Sequence, residues 1–207
     1  MSGVLKLSKS VIKRLTLDVA RGCEREVPDQ WLWGGRHVKL VDGTTVSMPD
    51  TTENQEAFPQ PSSQEPGLGF PMARMVVLIS LSTAMLCGME LGPYAGKETG
   101  ETALLRKLLD QLELGDIILA DRYYCSYFMI AMLMQLGVDI VARLHQGRKV
   151  DTPKGQRLGK GDYLVHWTRP PKPDWMDQTT YQSMPPSITL RQLEVKVHQP
   201  GFRVESL

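Results

Sequence analysis

Apolar and basic residues alternate with a helical period at the start of the chain. Residues 4–21 place Leu5, Ile12, Leu15 and Val19 at roughly helical spacing, with Lys and Arg between them. This spacing predicts an amphipathic helix. Such a helix is either a solvated surface element or a contact for a phosphate backbone.

The next apolar positions follow a strand pattern. Residues 37–40 lead into residues 41–44 (VDGT) and then residues 45–48, which predicts a strand, a glycine-containing turn or bulge, and more strand. Residues 49–71 carry five prolines and two glycines. They predict a long loop over a sheet edge or beside a site.

Strand and helix patterns alternate after residue 71. They predict a hairpin of strands at 72–80 and 85–91, a helix at 98–112, a strand at 116–120, a helix at 126–136 and a strand at 138–144. Thr99 is the expected N-cap of the first of these helices, and the polar opening 97–102 indicates capping in preference to catalysis. The order β-β-β-α-β-α-β predicts an α/β fold with a mixed sheet and helices on its faces.

Lys, Gly and Pro become frequent from residue 146 onwards, and residues 162–168 and 188–197 read as strands. We therefore expect three parts: an N-terminal helical or linker segment (1–36), a core (37–145) and a β-rich insertion (146–207). If the two late strands lack partners, they leave an unpaired edge. The isolated chain should then be poorly soluble or dimeric.

Composition excludes several classes of protein. With 207 residues, 42% apolar and 23% charged, the chain is typical of a soluble globular protein. The longest apolar stretch, residues 75–89, is too short and too interrupted to span a bilayer, and the N-terminus lacks the apolar run of a signal peptide. Three scattered cysteines without a CxxC pair favour a reducing, cytoplasmic location. No Walker loop, GxGxxG, HExxH or GxSxG motif occurs.

The net charge of +1 does not suggest a nucleic-acid binder, but the charges are unevenly distributed. Residues 1–40 hold eight Lys or Arg against four Asp or Glu, whereas residues 41–100 hold two against seven. An acidic stretch with a basic flank suits a metal site beside a polyanion. Ordinary surface variation explains the same counts equally well.

Two aspartates stand at the C-terminal ends of predicted strands: Asp42 follows residues 39–41, and Asp121 follows residues 117–120. Carboxylates in such positions are rigidly held and can converge on Mg²⁺, which often takes only one or two protein carboxylates plus water and phosphate. Two such ions about 4 Å apart can activate a nucleophile and stabilise the leaving oxygen of a phosphodiester. Alternatively, each Asp merely ends its strand in a turn.

Arg122, Tyr123 and Tyr124 directly follow Asp121. An Arg beside a metal-bound carboxylate could hold a phosphate with two hydrogen bonds, and a Tyr could stack on a base. The open alternative is that the Arg pairs with a nearby acid and the Tyr rings fill a gap between helix and sheet.

At these residues the chain resembles DDE transposases of bacterial insertion sequences, and insertion-sequence family four in particular. The resemblance rests on residues 41–44 (VDGT), the Pro- and Gln-rich loop 54–66, residues 92–94 (GPY) and above all residues 119–124 (LADRYY). It covers about residues 30–207, nearly the whole chain.

The resemblance implies a ribonuclease-H-like fold: a five-stranded mixed sheet, with a β-rich insertion before the last catalytic helix. It implies that Asp42 and Asp121 are the first two members of an acidic triad that binds two Mg²⁺ ions, with Mn²⁺ as a substitute. Those ions would support nicking of DNA at element ends and attack of the freed 3′-hydroxyl on target DNA. Arg122, Tyr123 and Tyr124 would lie beside the DNA.

The third acid of that family is a Glu on a helix with the spacing Tyr-x2-Arg-x3-Glu-x6-Lys, and this spacing is absent here. Glu194 falls in a predicted strand and Glu205 in the terminal tail, both without the preceding Tyr and Arg. We therefore expect a truncated transposase that binds metal weakly and turns over little or not at all.

Two other functions remain open. The chain could be a non-catalytic protein that binds element ends, or that inhibits the complete enzyme in mixed dimers. It could also be an unrelated ribonuclease-H-like nuclease whose third acid is Asp116 or Asp139, although both lie at strand starts, at the wrong end of the sheet. The expected partners are the DNA ends, target DNA and a possible second copy of the chain.

Overall fold

The computed structural model describes residues 8–65, 67–145, 147–148, 155–197 and 205–206. The helices are α1 (Lys9–Arg25), α2 (Thr52–Ala57), α3 (Glu101–Arg106), α4 (Tyr127–Gln135) and α5 (Gln178–Ser183). The strands are β1 (Val38–Ser47), β2 (Met72–Ser80), β3 (Leu86–Pro93), β4 (Ile117–Ala120), β5 (Asp139–Ala142), β6 (Gln156–Gly159), β7 (Asp162–Thr168), β8 (Ser187–Leu193), β9 (Lys196–Val197) and β10 (Glu205–Ser206). The chain divides into two compact units, residues 1–119 with 136–141 and residues 120–135 with 142–207.

A five-stranded mixed sheet, with the order β3-β2-β1-β4-β5, organises the first unit. β1, β2 and β3 form an antiparallel meander, and β4 pairs with β1 in parallel. The parallel pair requires a crossover connection, which the chain between β3 and β4 supplies with α3. This arrangement confirms the α/β class and the mixed sheet that the order of elements predicted, and the sheet has the five strands that the resemblance implied.

The predicted turn or bulge at residues 41–44 was wrong, because β1 runs through this segment without interruption. Asp42 pairs with Val77, Gly43 with Val76 and Thr44 with Met75, with no change of register. The local glycine signal is overridden because β2 offers β1 a continuous antiparallel partner over nine residues.

α3 covers one face of this sheet. Leu104, Leu105 and Leu108 are fully buried, as are Val76 and Leu78 of β2 on the covered face. The helix is shorter than the predicted 98–112: it ends at Arg106, and a 3₁₀ turn follows at Leu109–Gln111. Its N-cap is Gly100, not the predicted Thr99, whose hydroxyl donates to the Gly96 carbonyl.

The predicted amphipathic helix is present as α1, although residues 4–7 lie outside the described residues. Ser8 is its N-cap, and the Ser8 hydroxyl accepts a hydrogen bond from Val11 N–H. Ala20 is buried, whereas the predicted apolar positions Ile12, Leu15 and Val19 remain about half exposed. The helix therefore packs on the sheet with a different face from the one that the sequence pattern marked.

The predicted loop at residues 49–71 contains the short helix α2 and a compact segment held by one side chain. Gln60 accepts hydrogen bonds from Gly67 N–H and Gly69 N–H through Oε1 and donates to the Gln64 and Glu65 carbonyls through Nε2. All the polar atoms of this amide are thus used to close the loop.

In the second unit, β6, β7 and β8 form a three-stranded antiparallel sheet. β7 has the predicted bounds and pairs on both sides, so the expectation that this strand lacks a partner was wrong. The predicted strand at 188–197 is divided into β8 and β9, and β9 pairs with β10. Solubility and dimerisation stay predictions.

α4 and α5 contribute aromatic side chains to the same unit. The ring of Phe128 meets that of Trp175 edge-on at 6.1 Å between centroids, and Tyr127 Oη donates to the Pro185 carbonyl at 2.6 Å. Arg169 lies over the ring of Tyr181 and donates to the Met184 carbonyl. The contacts of Phe128 and Tyr127 connect α4 to Trp175 and Pro185, about 50 positions later in the chain.

Candidate active site

Asp42 lies on β1 and is exposed. Its Oδ1 accepts a hydrogen bond from the N–H of Gly43 at 2.9 Å, which fixes the orientation of the carboxylate. The parallel register of the first unit pairs Leu40 of β1 with Leu119 of β4. Asp42 follows Leu40 by two positions, and Asp121 follows Leu119 by two positions.

Asp121 belongs to the second unit and caps a 3₁₀ helix at Arg122–Tyr124. Its Oδ1 accepts a hydrogen bond from Tyr123 N–H at 2.7 Å, and the residue is exposed. Both aspartates therefore present carboxylates that a backbone N–H holds in place. Such hard oxygen donors suit a magnesium-type cation, which often takes only one or two of them from the protein.

The three residues after Asp121 differ in exposure. Tyr123 is half exposed, and Arg122 is partly buried. Tyr124 is only 1% exposed, and its ring meets that of Tyr123 edge-on at 6.1 Å between centroids. Arg122 and Tyr123 can reach a ligand in solvent, whereas Tyr124 supports the packing beneath them.

Among the described residues, no three His, Cys, Asp or Glu side chains come together as a metal cluster. Glu194 directly follows β8, is exposed, and donates its N–H to the Gly161 carbonyl. Glu205 lies in β10.

Asp116 and Asp139, the acids of the third alternative, make ion pairs at the starts of β4 and β5. Asp116 Oδ2 lies 2.7 Å from Lys39 Nζ, and Asp139 Oδ2 lies 2.6 Å from Arg36 Nη1. Each acid forms an ion pair with a cation of the same unit, so we assign both acids a structural role.

The sequence pattern did not identify Glu101 as a residue that lies next to Gly43. The Glu101 side chain lies against the Cα of Gly43, the residue after Asp42. The sequence pattern indicated capping for this polar segment, but Gly100 caps α3 without any side-chain hydrogen bond. The glycine next to Asp42 was the available signal, because a glycine inside a strand often marks a close approach.

The chain belongs to the Transposase DDE domain family, whose model matches residues 33–197. The resemblance that the sequence motifs indicated is thereby confirmed. A curated relative is the transposase InsG for insertion sequence element IS4 of Escherichia coli (strain K12). InsG is 28% identical to this chain over 167 residues, which is 77% of this chain and 35% of InsG. The chain thus spans about a third of the length of this relative.

Two solved transposase structures are also similar in outline. The piggyBac transposase synaptic complex with hairpin DNA has a TM-score of 0.40 and 12% identity, covering 79% of this chain and 42% of that one. The Mos1 transposase paired-end complex with the left transposon end has a TM-score of 0.35 and 14% identity, covering 68% and 44%.

In the part of the chain that the structure describes, no helix has both the length and the apolar character needed to cross a bilayer.

Proposed function

We propose that this chain is the catalytic-core part of a DDE transposase that acts on the ends of a bacterial insertion sequence. Residues 37–145 would form the first part of the core, and residues 146–207 would form a β-rich insertion. The reaction would be metal-dependent hydrolysis of a phosphodiester followed by strand transfer to target DNA. The observation that carries this proposal is the family match over residues 33–197.

Asp42 and Asp121 are the residues that would hold the metal. Two observations support this role: both carboxylates are exposed, and the family match over residues 33–197 includes both aspartates. Bound Mg²⁺ or Mn²⁺ would activate the attacking oxygen and stabilise the leaving oxygen. Gly43 N–H orients the carboxylate of Asp42, and Tyr123 N–H orients that of Asp121.

Arg122 and Tyr123 would contact the DNA. A guanidinium next to a metal-bound carboxylate can hold a phosphate with two parallel hydrogen bonds. The half-exposed ring of Tyr123 offers a stacking surface that is independent of base sequence. Arg122→Ala should weaken DNA binding uniformly across sequences and reduce its dependence on salt concentration, as expected for loss of a phosphate contact.

The metal site can be tested by Mn²⁺ titration of the purified chain, followed by electron paramagnetic resonance. Asp42→Asn and Asp121→Asn should each weaken Mn²⁺ binding at least tenfold, because each removes one of few carboxylate ligands. Asp110→Asn, at an exposed aspartate of the Leu109–Gln111 turn, is the matched control and should bind as the unaltered chain does. Equal binding by Asp42→Asn and Asp110→Asn would refute the proposed metal site.

Turnover is a separate question, because the spacing Tyr-x2-Arg-x3-Glu-x6-Lys that carries the family's third acid does not occur among these 207 residues. We expect the chain by itself to leave end-sequence DNA intact in Mg²⁺. Nicking at a rate that Asp42→Ala abolishes would show instead that two carboxylates, or a different third one, suffice.

A second candidate function is regulation without catalysis. It is favoured by the absence of a converged three-acid cluster among the described residues. In this case the chain would bind element-end DNA in the absence of metal and would slow a complete transposase in a mixed reaction. DNA binding that survives Asp42→Asn, combined with such inhibition, would favour regulation. DNA binding without inhibition would count against it.

A further inference from the structure

Arg148 lies over an aromatic ring of the three-stranded sheet in the second unit. Its guanidinium carbon is 3.5 Å from the centroid of the Trp167 ring, and the residue is half-buried. The electron-rich face of an indole attracts a guanidinium that lies over it. Trp167 therefore holds in one place a charge that would otherwise sample many rotamers.

The backbone that carries Arg148 is also held in place. Arg148 N–H donates to the His145 carbonyl at 3.0 Å, and Gly147 N–H donates to His145 Nδ1 at 3.1 Å. The backbone of His145 in turn forms a hydrogen bond with the Cys125 thiol. Cys125 ends the 3₁₀ helix that Asp121 caps. The turn that carries Arg148 therefore packs against the short helix that begins at Asp121.

The charge of Arg148 has no acidic partner among the described residues. Burial lowers the pKa of its guanidinium, and the neighbour that opposes this change is the Cys125 thiol, not a carboxylate. Arg191 of the same unit differs, because it donates to both carboxylate oxygens of Asp162. A guanidinium that is partly desolvated, held in place and not neutralised favours an anion as its partner.

We propose that Arg148 binds a phosphate of the DNA backbone, as a second arginine besides Arg122. This inference rests on the proposed function. Stacking on Trp167 uses the face of the guanidinium, so its N–H edge stays available for two phosphate oxygens. A phosphate bound there would lie on the unit that also contains Asp121, Arg122 and Tyr123.

The test is fluorescence anisotropy of a short labelled DNA duplex, titrated with the chain at several salt concentrations and without divalent metal. A phosphate contact does not depend on base sequence, so a duplex of arbitrary sequence suffices. Arg148→Gln should weaken binding about tenfold and reduce the slope of log affinity against log salt by about one. An unchanged slope would overturn the proposal, because loss of a merely structural arginine does not change the number of counterions released.

Arg191→Gln is the matched control. Arg191 pairs with Leu164 of β7, three positions before Trp167, so Arg191 and Trp167 project from opposite faces of the same sheet. Because Asp162 already neutralises Arg191, we expect this variant to keep the affinity and the salt slope of the unaltered chain. An equal reduction of the slope in Arg191→Gln and Arg148→Gln would overturn the proposal, since general loss of charge would then explain both.

Arg148→Lys separates the charge from its planar shape. Lysine keeps the positive charge but cannot donate two parallel hydrogen bonds from a planar fork. We expect the salt slope of the unaltered chain with a several-fold lower affinity. An affinity equal to that of the unaltered chain would overturn the role of the stacked guanidinium. Far-UV circular dichroism identifies any variant that fails to fold, and Arg148→Lys retains the test if Arg148→Gln does so.

The outcomes separate the inference from the proposed function. If the unaltered chain shows no salt-dependent binding to the duplex, the proposed DNA contacts are refuted together with that of Arg148. If Arg122→Ala reduces the salt slope while Arg148→Gln does not, the proposed function stands and the role of Arg148 alone is refuted.

Discussion

Lys39 is only 2% exposed, although its side chain is charged and β1 is an inner strand of the sheet. Its Nζ lies 2.7 Å from Asp116 Oδ2 and 3.8 Å from Glu24 Oε2, so α1, β1 and the start of β4 share one ionic cluster. Burial alone would lower the pKa of Lys39, but the hydrogen bond and charge of Asp116, together with Glu24, raise it above the ordinary value.

Lys39→Met should therefore destabilise the first unit strongly. It leaves Asp116 and Glu24 without their shared cation, and breaking a buried pair in this way costs about 3–5 kcal/mol. Urea denaturation of this variant and of Lys97→Met, at an exposed lysine of the same unit, provides the measurement. Similar stabilities for the two variants would show that the cluster contributes little.

Cys87, in the same region, makes the stability of the folded chain depend on pH. Burial, with the charge of Glu24, raises the pKa of its thiol to about 11 from 9.0. The folded chain therefore keeps this proton at pH values where the unfolded chain has released it. The stabilisation is complete below pH 9 and decreases as the pH rises towards 11.

We expect the free energy of unfolding to fall by about 1–2 kcal/mol between pH 9 and 10.5. Lys39 adds a loss of the same sign near the upper end of this range, because its pKa is 10.5 in the unfolded chain and is raised in the folded chain. Cys87→Ala should flatten this part of the profile, whatever its effect at pH 7. An unchanged slope in this variant would assign the alkaline sensitivity to another group.

Among the elements, strands were predicted more accurately than helix ends. The bounds of β2 and β7 agree with the pattern because each strand has pairing partners on both sides and a continuous run of strand-forming residues. The predicted helix at 98–112 is shortened to α3, which ends at Arg106, and a 3₁₀ turn at Leu109–Gln111 takes the place of its last residues. Periodicity identified the buried face of this helix but not where the helix ends.

The buried leucines of α3 and its following turn lead to a prediction about packing. Leu108 is fully buried, whereas Leu114, six residues later, is 87% exposed. Leu108→Ala should cost about 2–5 kcal/mol, since it leaves a cavity under α3. Leu114→Ala should change stability by less than about 0.5 kcal/mol. Equal losses in chemical denaturation would mean that Leu114 has a packing partner in solution.

Across the first unit, the two faces of the five-stranded sheet are covered unequally. Val41, Val76 and Leu78 are buried on one face. On the other, Met89 and Leu119 remain 39% and 36% exposed. This apolar surface, more than an unpaired strand, is the reason that we expect the isolated chain to associate.

Association should therefore respond to charge on that face. Met89→Lys should shift sedimentation velocity profiles towards the monomer. Leu158→Lys, at an exposed leucine of β6 in the second unit, should leave them unchanged. A monodisperse monomer at all concentrations for the unaltered chain would contradict the prediction.

The sequence alone determined the family and the class of fold, because the segment LADRYY and the order of strand and helix patterns are local features of the chain. It also led us to propose Asp42 and Asp121 as metal ligands. Only the tertiary structure revealed the contact of Glu101 with Gly43 and the ionic cluster around Lys39. Glu101 lies 58 positions after Gly43 and Asp116 lies 77 positions after Lys39, so no periodicity within a single segment indicates either contact. The continuity of β1 was decided in the same way, because β2 supplies the partner that extends a strand through a glycine.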